Sequence, residues 1–319
     1  MLFRSRHCPK CQSLAKARWL KKQTSELLPT GYFHLVFTLP HELNSLILSY
    51  KRVLLGLLFK AVSETLLEFG RTRLRGQIGF IAVLHTWDQT LNDHFHLHCL
   101  IPAGALCSDQ SRWISARKNF LFPVKALSLV FREKFLDFLK QASARGKVKF
   151  PNQTEQAKRL RAWRKKNWVV YAKKPFGSSE RVLDYLGRYT YRVALSNDRI
   201  LCVKDGHITF SYRDRRDGDR KKTMTLEADE FIRRFLLHVL PKGFTRIRHF
   251  GFLANRSKKQ NLSRCRELLG LCPCLPPAPE KTSRDLLLEL TGVDPSLCPA
   301  CKQGTLVIVA ELPPLWDSS

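Results

Sequence analysis

The sequence predicts an α+β fold with a mostly antiparallel central sheet flanked by helices, and three observations predict it. Apolar runs of strand length occur at 32–38 (YFHLVFT), 77–86 (QIGFIAVLHT) and 95–101 (FHLHCLI). The last two are separated only by a polar, turn-forming stretch at 88–93, which favours an antiparallel hairpin. Separate stretches at about 43–69 and 124–143 carry apolar residues at helical spacing, so helices and strands are segregated rather than strictly alternating.

Taken in order, residues 1–30 are basic and contain Cys8-x-x-Cys11, and Pro29 and Gly31 punctuate a boundary before the first strand. Pro40 opens a helical region in which Leu43, Leu46, Ile47, Tyr50, Val53, Leu54, Leu57 and Leu58 share a stripe, with Gly56 as a candidate break. Leu127, Val130, Phe131, Phe135, Phe138 and Leu139 form a second stripe. WVVYA at 168–172 reads as a strand ended by Lys173-Lys174-Pro175-Phe176-Gly177, after which Ser178 or Ser179 caps a helix. Runs at 200–203 and 207–212 flank Asp205-Gly206, a strong hairpin signal. An amphipathic helix at 227–240 ends at Pro241, a strand at 244–252 is expected to expose Arg246 and Arg248 as DNA-binding cations, and a basic helix spans about 255–269. The Pro-rich stretch 272–279 is a linker, and the tail carries Cys298-x-x-Cys301. The division expected is a terminal cysteine segment at 1–30, a main domain at 31–270, and a linker with tail at 271–319.

In the chain of 319 residues, 55 Lys and Arg face 27 Asp and Glu, leaving a net charge of +28. Such an excess draws polyanions, and its interleaving with aromatics is the pattern of a surface that holds phosphates and stacks bases. Arg161-Ala162-Trp163-Arg164-Lys165-Lys166-Asn167-Trp168 and Tyr212-Arg213-Asp214-Arg215-Arg216 are the clearest cases. No apolar run reaches membrane-spanning length and the N-terminus shows no signal-peptide pattern, so a cytoplasmic, DNA-associated protein without a membrane partner is expected. In that compartment the ten cysteines are expected as thiols or zinc ligands rather than disulfides.

Two constellations carry chemistry. His96 and His98 flank one residue, and on a strand both imidazoles point to one face, the start of a metal site. Two imidazoles rarely suffice. Gln89, with a hard carbonyl oxygen near the end of the preceding strand, is the favoured third ligand, and His85 is its rival. Tyr185 and Tyr189 lie four apart, which on a helix puts both phenols on one side, roughly 6 Å apart along the axis. Arg188 and Arg192 repeat that spacing as candidate phosphate holders. A divalent metal beside paired phenols in so basic a chain points to phosphodiester chemistry on nucleic acid. Cys8 and Cys11, with His7, are half of a zinc site, and Cys298 and Cys301 are another half; the two join only if the termini meet.

With these residues in place, the chain resembles the transposases of the insertion sequence 91 type, which are HUH-class, two-tyrosine enzymes. The resemblance runs from about residue 4 to 269 and rests on ordered blocks: RHCPKCQ at 6–12, YFHLVFTLPHELN at 32–44, LHTWDQTLNDHFHLHCLIPAG at 84–104, WVVYAKKPFG at 168–177, VLDYLGRYTYRVALSN at 182–197, and MTLEADEFIRRFLLHVLPKGFTRIRHFGFLANR at 224–256. It implies an HUH endonuclease-like sheet. It also implies cleavage of single-stranded DNA at element ends and target by a tyrosine, with a 5′-phosphotyrosine link and a free 3′-hydroxyl, in rolling-circle transposition. The family's histidine pair falls on His96 and His98 and its tyrosine pair on Tyr185 and Tyr189, with Mg²⁺ or Mn²⁺ at the histidines. The family's longer zinc module precedes RHCPKCQ, so the sequence is expected to begin inside that module.

Three rivals are distinguishable. A tyrosine recombinase would link to the 3′ end of duplex DNA without metal. A zinc hydrolase would need an acidic base and a distant third histidine. A decayed, non-catalytic DNA-binding protein would keep the charge without the chemistry.

Overall fold

The computed structural model describes residues 9–176, 181–182, 187, 194–214, 217–274, 282–307 and 309–310. The described residues begin with α1 (Pro9–Glu26) and β1 (Tyr32–Thr38), followed by a 3-10 turn, α2 (Asn44–Ser49) and α3 (Lys51–Arg73). The hairpin β2 (Gly79–Trp87) and β3 (Asp93–Pro102) leads into a small ribbon of β4 (Gly104–Leu106) and β5 (Trp113–Ser115). Then come α4 (Val124–Ala144), α5 (Gln153–Lys165) and β6 (Val169–Phe176). A three-stranded unit of β7 (Ile200–Lys204), β8 (His207–Asp214) and β9 (Arg220–Glu227) precedes α6 (Ala228–Leu237), β10 (Ile247–Gly251), α7 (Lys258–Leu268) and α8 (Ser283–Thr291).

The central sheet has the order β10-β2-β3-β1-β6 and every neighbouring pair is antiparallel. The α+β expectation therefore holds. Alternation along the strands gives the sheet two unlike faces. On one, Phe33, Leu35, Phe37, Phe80, Ala82, Leu84, Phe95, Leu97, Cys99 and Ile101 meet Leu54, Leu58, Phe59 and Leu66 of α3 and Leu127, Phe131, Phe135 and Leu139 of α4 in the main core. On the other lie His34, His85, His96 and His98, all buried. Phe37 is fully buried with its ring edge-on to Phe131 at 5.3 Å, so Phe37→Ala is expected to cost about 3–5 kcal/mol in chemical denaturation. A loss under about 1 kcal/mol would mean that the core collapses into the cavity.

Several elements depart from the sequence expectation. The helix breaks at Tyr50 (φ −128°, ψ 43°), whereas Gly56 lies within α3. β6 runs on through Lys173, Lys174 and Pro175; it is an edge strand, where a proline costs no interior ladder bond. Trp163 and Trp168 are only 5% and 4% exposed and belong to the main core, with Trp168 Nε1 donating to the Trp163 carbonyl at 3.0 Å. They are not base-stacking platforms. α5 and β9 give weak apolar signals; of α5 only Trp163 is buried, and the charged β9 turns just alternate residues inward, while α8 (SRDLLLELT) is a helix within the stretch expected as linker and tail. Among the described residues no helix is long and apolar enough to cross a membrane.

Candidate metal centre

Strand register gathers the histidines. On β3, in the middle of the sheet, His96 pairs with His85 of β2 and with Thr38 of β1, while His98 pairs with Val83 and Val36. Adjacent strands therefore bring His85 beside the H-x-H pair. One ligand nitrogen from each of His85, His96 and His98 lies within 4.8 Å of the others. His96 Nε2 and His98 Nε2 are 3.1 Å apart, and the His85 ring is 4.5 Å from that of His98 by centroid. Behind the pair, His96 Nδ1 donates to the His94 carbonyl at 2.8 Å, which leaves its Nε2 with the lone pair. Imidazole nitrogens converging in a buried space are a donor set that suits a divalent cation.

Two surroundings fix this cluster. Trp87 stacks on His85 at 5.0 Å and 14°, and the Arg246 guanidinium stands 5.6 Å over the Trp87 ring. The turn after β2 is pinned as well. Asp88 Oδ1 accepts from the Thr90 and Asn92 amides at 2.8 Å each. Arg199 and Arg234 donate to the Gln89 and Thr90 carbonyls, and His238 Nε2 donates to Leu91 O at 3.1 Å. Burial pushes the His238 pKa down to about 4, so it is the neutral ring that ties α6 to the turn at physiological pH. Gln89, the favoured third ligand, sits in this turn beyond Trp87, and His85 is the residue that the register places next to His96.

A fourth histidine went unnoticed in the sequence. His34 of β1 is 5% exposed, its Nε2 is 2.9 Å from His98 Nδ1, and the two rings stack at 5.2 Å and 12°. Burial, aided by the Lys173 charge, lowers its pKa to about 3. Its signal was a single polar residue inside the otherwise greasy run YFHLVFT.

Tyr185, Tyr189, Arg188 and Arg192 lie outside the described residues. Two described residues around Tyr185 are informative. Val182 is buried with Tyr32 and Leu100 on the histidine side of the sheet, two residues along β3 from His98. Gly187 is buried against α1: a Cβ there would stand 3.1 Å from Leu20 Cδ1 and 3.2 Å from Lys16 Cε. Arg246 and Arg248 are half-buried rather than exposed. Arg248 lies 4.1 Å over the Phe59 ring, and desolvation lowers its pKa, so it covers the core edge.

Cys8 lies outside the described residues, and Cys11 falls in α1. Cys298 and Cys301 form a tight turn in which the Cys298 amide donates to Gly304 O at 2.7 Å and the Gly304 amide points at Cys301 Sγ at 3.3 Å. Backbone amides of Gln303 and Gly304 lower the Cys301 thiol pKa, which favours the thiolate a metal requires. α1 and α8 are in contact, so the N-terminal helix touches the last helix before that turn.

Residues 79–261 match the Y2_Tnp family, described as "Putative transposase", and residues 3–39 match Zn_Tnp_IS91, a transposase zinc-binding domain. The chain is 46% identical over 336 residues to "Putative transposase y4qJ" of Sinorhizobium fredii, covering 99% of this chain and 84% of that protein. It is 30% identical over 305 residues to the transposase for insertion sequence element IS801 of Pseudomonas savastanoi pv. phaseolicola, covering 93% and 72% respectively. Among solved structures, the conjugative relaxase TrwC in complex with oriT DNA, metal-free, overlaps 49% of this chain and 70% of its own at 14% identity. Its TM-score is 0.27, too slight a likeness to bear on the fold. The matches along the sequence are sufficient by themselves: the chain belongs to the IS91-type transposases of the Y2 family.

Proposed function

We propose that the chain cleaves and transfers single-stranded DNA in rolling-circle transposition, with Tyr185 and Tyr189 as nucleophiles and His96, His98 and His85 as ligands of Mg²⁺ or Mn²⁺. One observation carries this reading. Three imidazoles converge on one sheet face, and Val182 and Gly187, on either side of Tyr185 in sequence, are anchored on that same side. His85 replaces Gln89 as third ligand because the strand register, not the turn, brings it to the pair. A divalent cation bound there supplies Lewis acidity and a template for the scissile phosphate.

The chain's own groups do the rest. A tyrosine Oη forms a bond to phosphorus while the bond from phosphorus to the 3′ oxygen breaks. The phenol proton is transferred to that departing oxygen, which leaves as a 3′-hydroxyl. The 5′-phosphotyrosine keeps the phosphodiester energy for the transfer step. An unperturbed phenol near pKa 10 is scarcely ionised at pH 7, so polarisation at the phosphate has to assist it. Arg188 and Arg192 hold flanking phosphates, and the +28 net charge supplies general affinity for the ends and the target. Cys8, Cys11, Cys298 and Cys301 serve a separate structural Zn²⁺, a reading that the contact between α1 and α8 supports.

The test is incubation with labelled single-stranded DNA of the element ends and Mn²⁺. The expected result is a covalent adduct on a denaturing gel that forms on single strands, fails on relaxed duplex and disappears with EDTA. Equal adduct on duplex, insensitive to EDTA, would assign the chain to the metal-independent recombinases instead.

A further inference from the structure

We infer that His34 is a positioning residue that sets the tautomer of His98 and so aims its Nε2 at the metal. The inference rests on the metal reading above and extends it to a residue that touches neither substrate nor cation.

The argument begins with the two ring nitrogens of His98. Its Nε2 faces His96 Nε2 at 3.1 Å, on the side where the three ligand nitrogens converge. Its Nδ1 is 2.9 Å from His34 Nε2 on the opposite side. A neutral imidazole carries one proton, and to ligate through Nε2 that proton has to sit on Nδ1. His34 Nε2 is then the acceptor, which places the His34 proton on its own Nδ1. The two rings lie nearly parallel, 12° apart, so the same contact fixes the plane of His98 as well as its tautomer. His96 is held in the same way by a different acceptor, the His94 carbonyl. Metal-bound histidines commonly donate their second nitrogen to a carboxylate, carbonyl or water. At His98 the β1 strand supplies an imidazole for that purpose, at a position where β1 and β3 are hydrogen-bonded neighbours.

The decisive variants separate the acceptor from the packing. His34→Phe keeps an aromatic ring against His98 but removes the acceptor, whereas His34→Gln places a carbonyl oxygen at about the reach of Nε2. Mn²⁺ binding to the full chain, without DNA, is followed by electron paramagnetic resonance. His34→Phe is expected to weaken it about 10–100-fold, and His34→Gln to restore it to within a few-fold of the parent chain. Cleavage by His34→Phe should recover at saturating Mn²⁺, since the nucleophiles are untouched. Unchanged Mn²⁺ affinity in His34→Phe overturns the inference. Nitrogen-15 spectra of the parent chain loaded with diamagnetic Mg²⁺ give a second reading that depends on no variant folding. They are expected to show His34 protonated at Nδ1 with Nε2 accepting from His98, and His34 protonated at Nε2 would sink the idea. If the parent chain binds no Mn²⁺ at all, the metal reading fails; if the parent chain binds Mn²⁺ and His34→Phe binds it equally well, the metal reading stands and only the role of His34 fails.

Discussion

The Tyr185→Phe, Tyr189→Phe double variant is expected to form no covalent adduct with single-stranded DNA, a loss of more than about 10³-fold, as when a covalent nucleophile is removed. Phenylalanine keeps the ring and deletes only the attacking oxygen, so circular dichroism and the melting transition should match the parent chain. The single variants are expected to differ from the double. Rolling-circle transfer needs two cleavages, and a tyrosine already joined to a 5′-phosphate has no oxygen left to attack. Each single variant should therefore still trap one adduct with an oligonucleotide and yet fail in complete transposition. Mass spectrometry of the trapped peptide locates the link. An adduct on Tyr171 or Tyr191, or one that persists in the double variant, would show that other phenols do the work.

Most of the frame was legible because burial on both faces leaves its mark on composition. β1 was readable to the residue, since 32–38 is apolar or aromatic almost throughout and the structure buries it nearly completely. The hairpin of β2 and β3 was equally plain, because Asp88 and Asn92 are turn formers between two greasy runs. What composition did not reveal were elements whose contacts are one-sided. α5 buries only Trp163 and rests Leu160 against the core, and its many cations suggested a nucleic-acid surface, yet the tryptophan turns inward. Aromatics next to arginines are thus ambiguous until the helix face is known.

The histidine site was half legible for a related reason. H-x-H on one strand fixes two side chains on one face by geometry alone. The third position depends on strand register, and register is set by the whole hairpin rather than by distance along the chain. From Gln89 the path along the sequence is shorter, but the pairing of His85 with His96 decides the neighbour. His34 is farther still, 64 residues from His98, and only the docking of β1 against β3 makes the two adjacent. The same pairing runs on to Tyr32 and Leu100, where Val182 is seated. One strand pair thus supports both the histidine face and the residue that begins the tyrosine segment.

Alanine at His85, His96 or His98 is expected to remove metal-dependent cleavage with little effect on DNA binding. The two quantities come from different parts of the molecule. Affinity for DNA arises from many distributed cations that neutralise phosphates, and no single imidazole contributes much to a net charge of +28. The proposed metal-dependent catalysis rests instead on a few nitrogens within 4.8 Å of one another. Removing one leaves two ligands, too few to hold a weakly bound hard cation, so the Lewis-acid contribution of several kcal/mol is lost. A loss of about 4 kcal/mol corresponds to roughly 10³-fold in rate. Single-turnover cleavage at fixed Mn²⁺ measures the loss, and band shifts at matched ionic strength measure the affinity. Gln89→Ala is the internal control: it should retain cleavage within a few-fold, because the Arg199 guanidinium is bonded to the backbone carbonyl at that position and the side chain is not needed to pin the turn. The reverse order, with Gln89→Ala inactive and His85→Ala close to the parent rate, would return the third ligand to the turn and leave His85 as a ring that merely packs between Trp87 and His98.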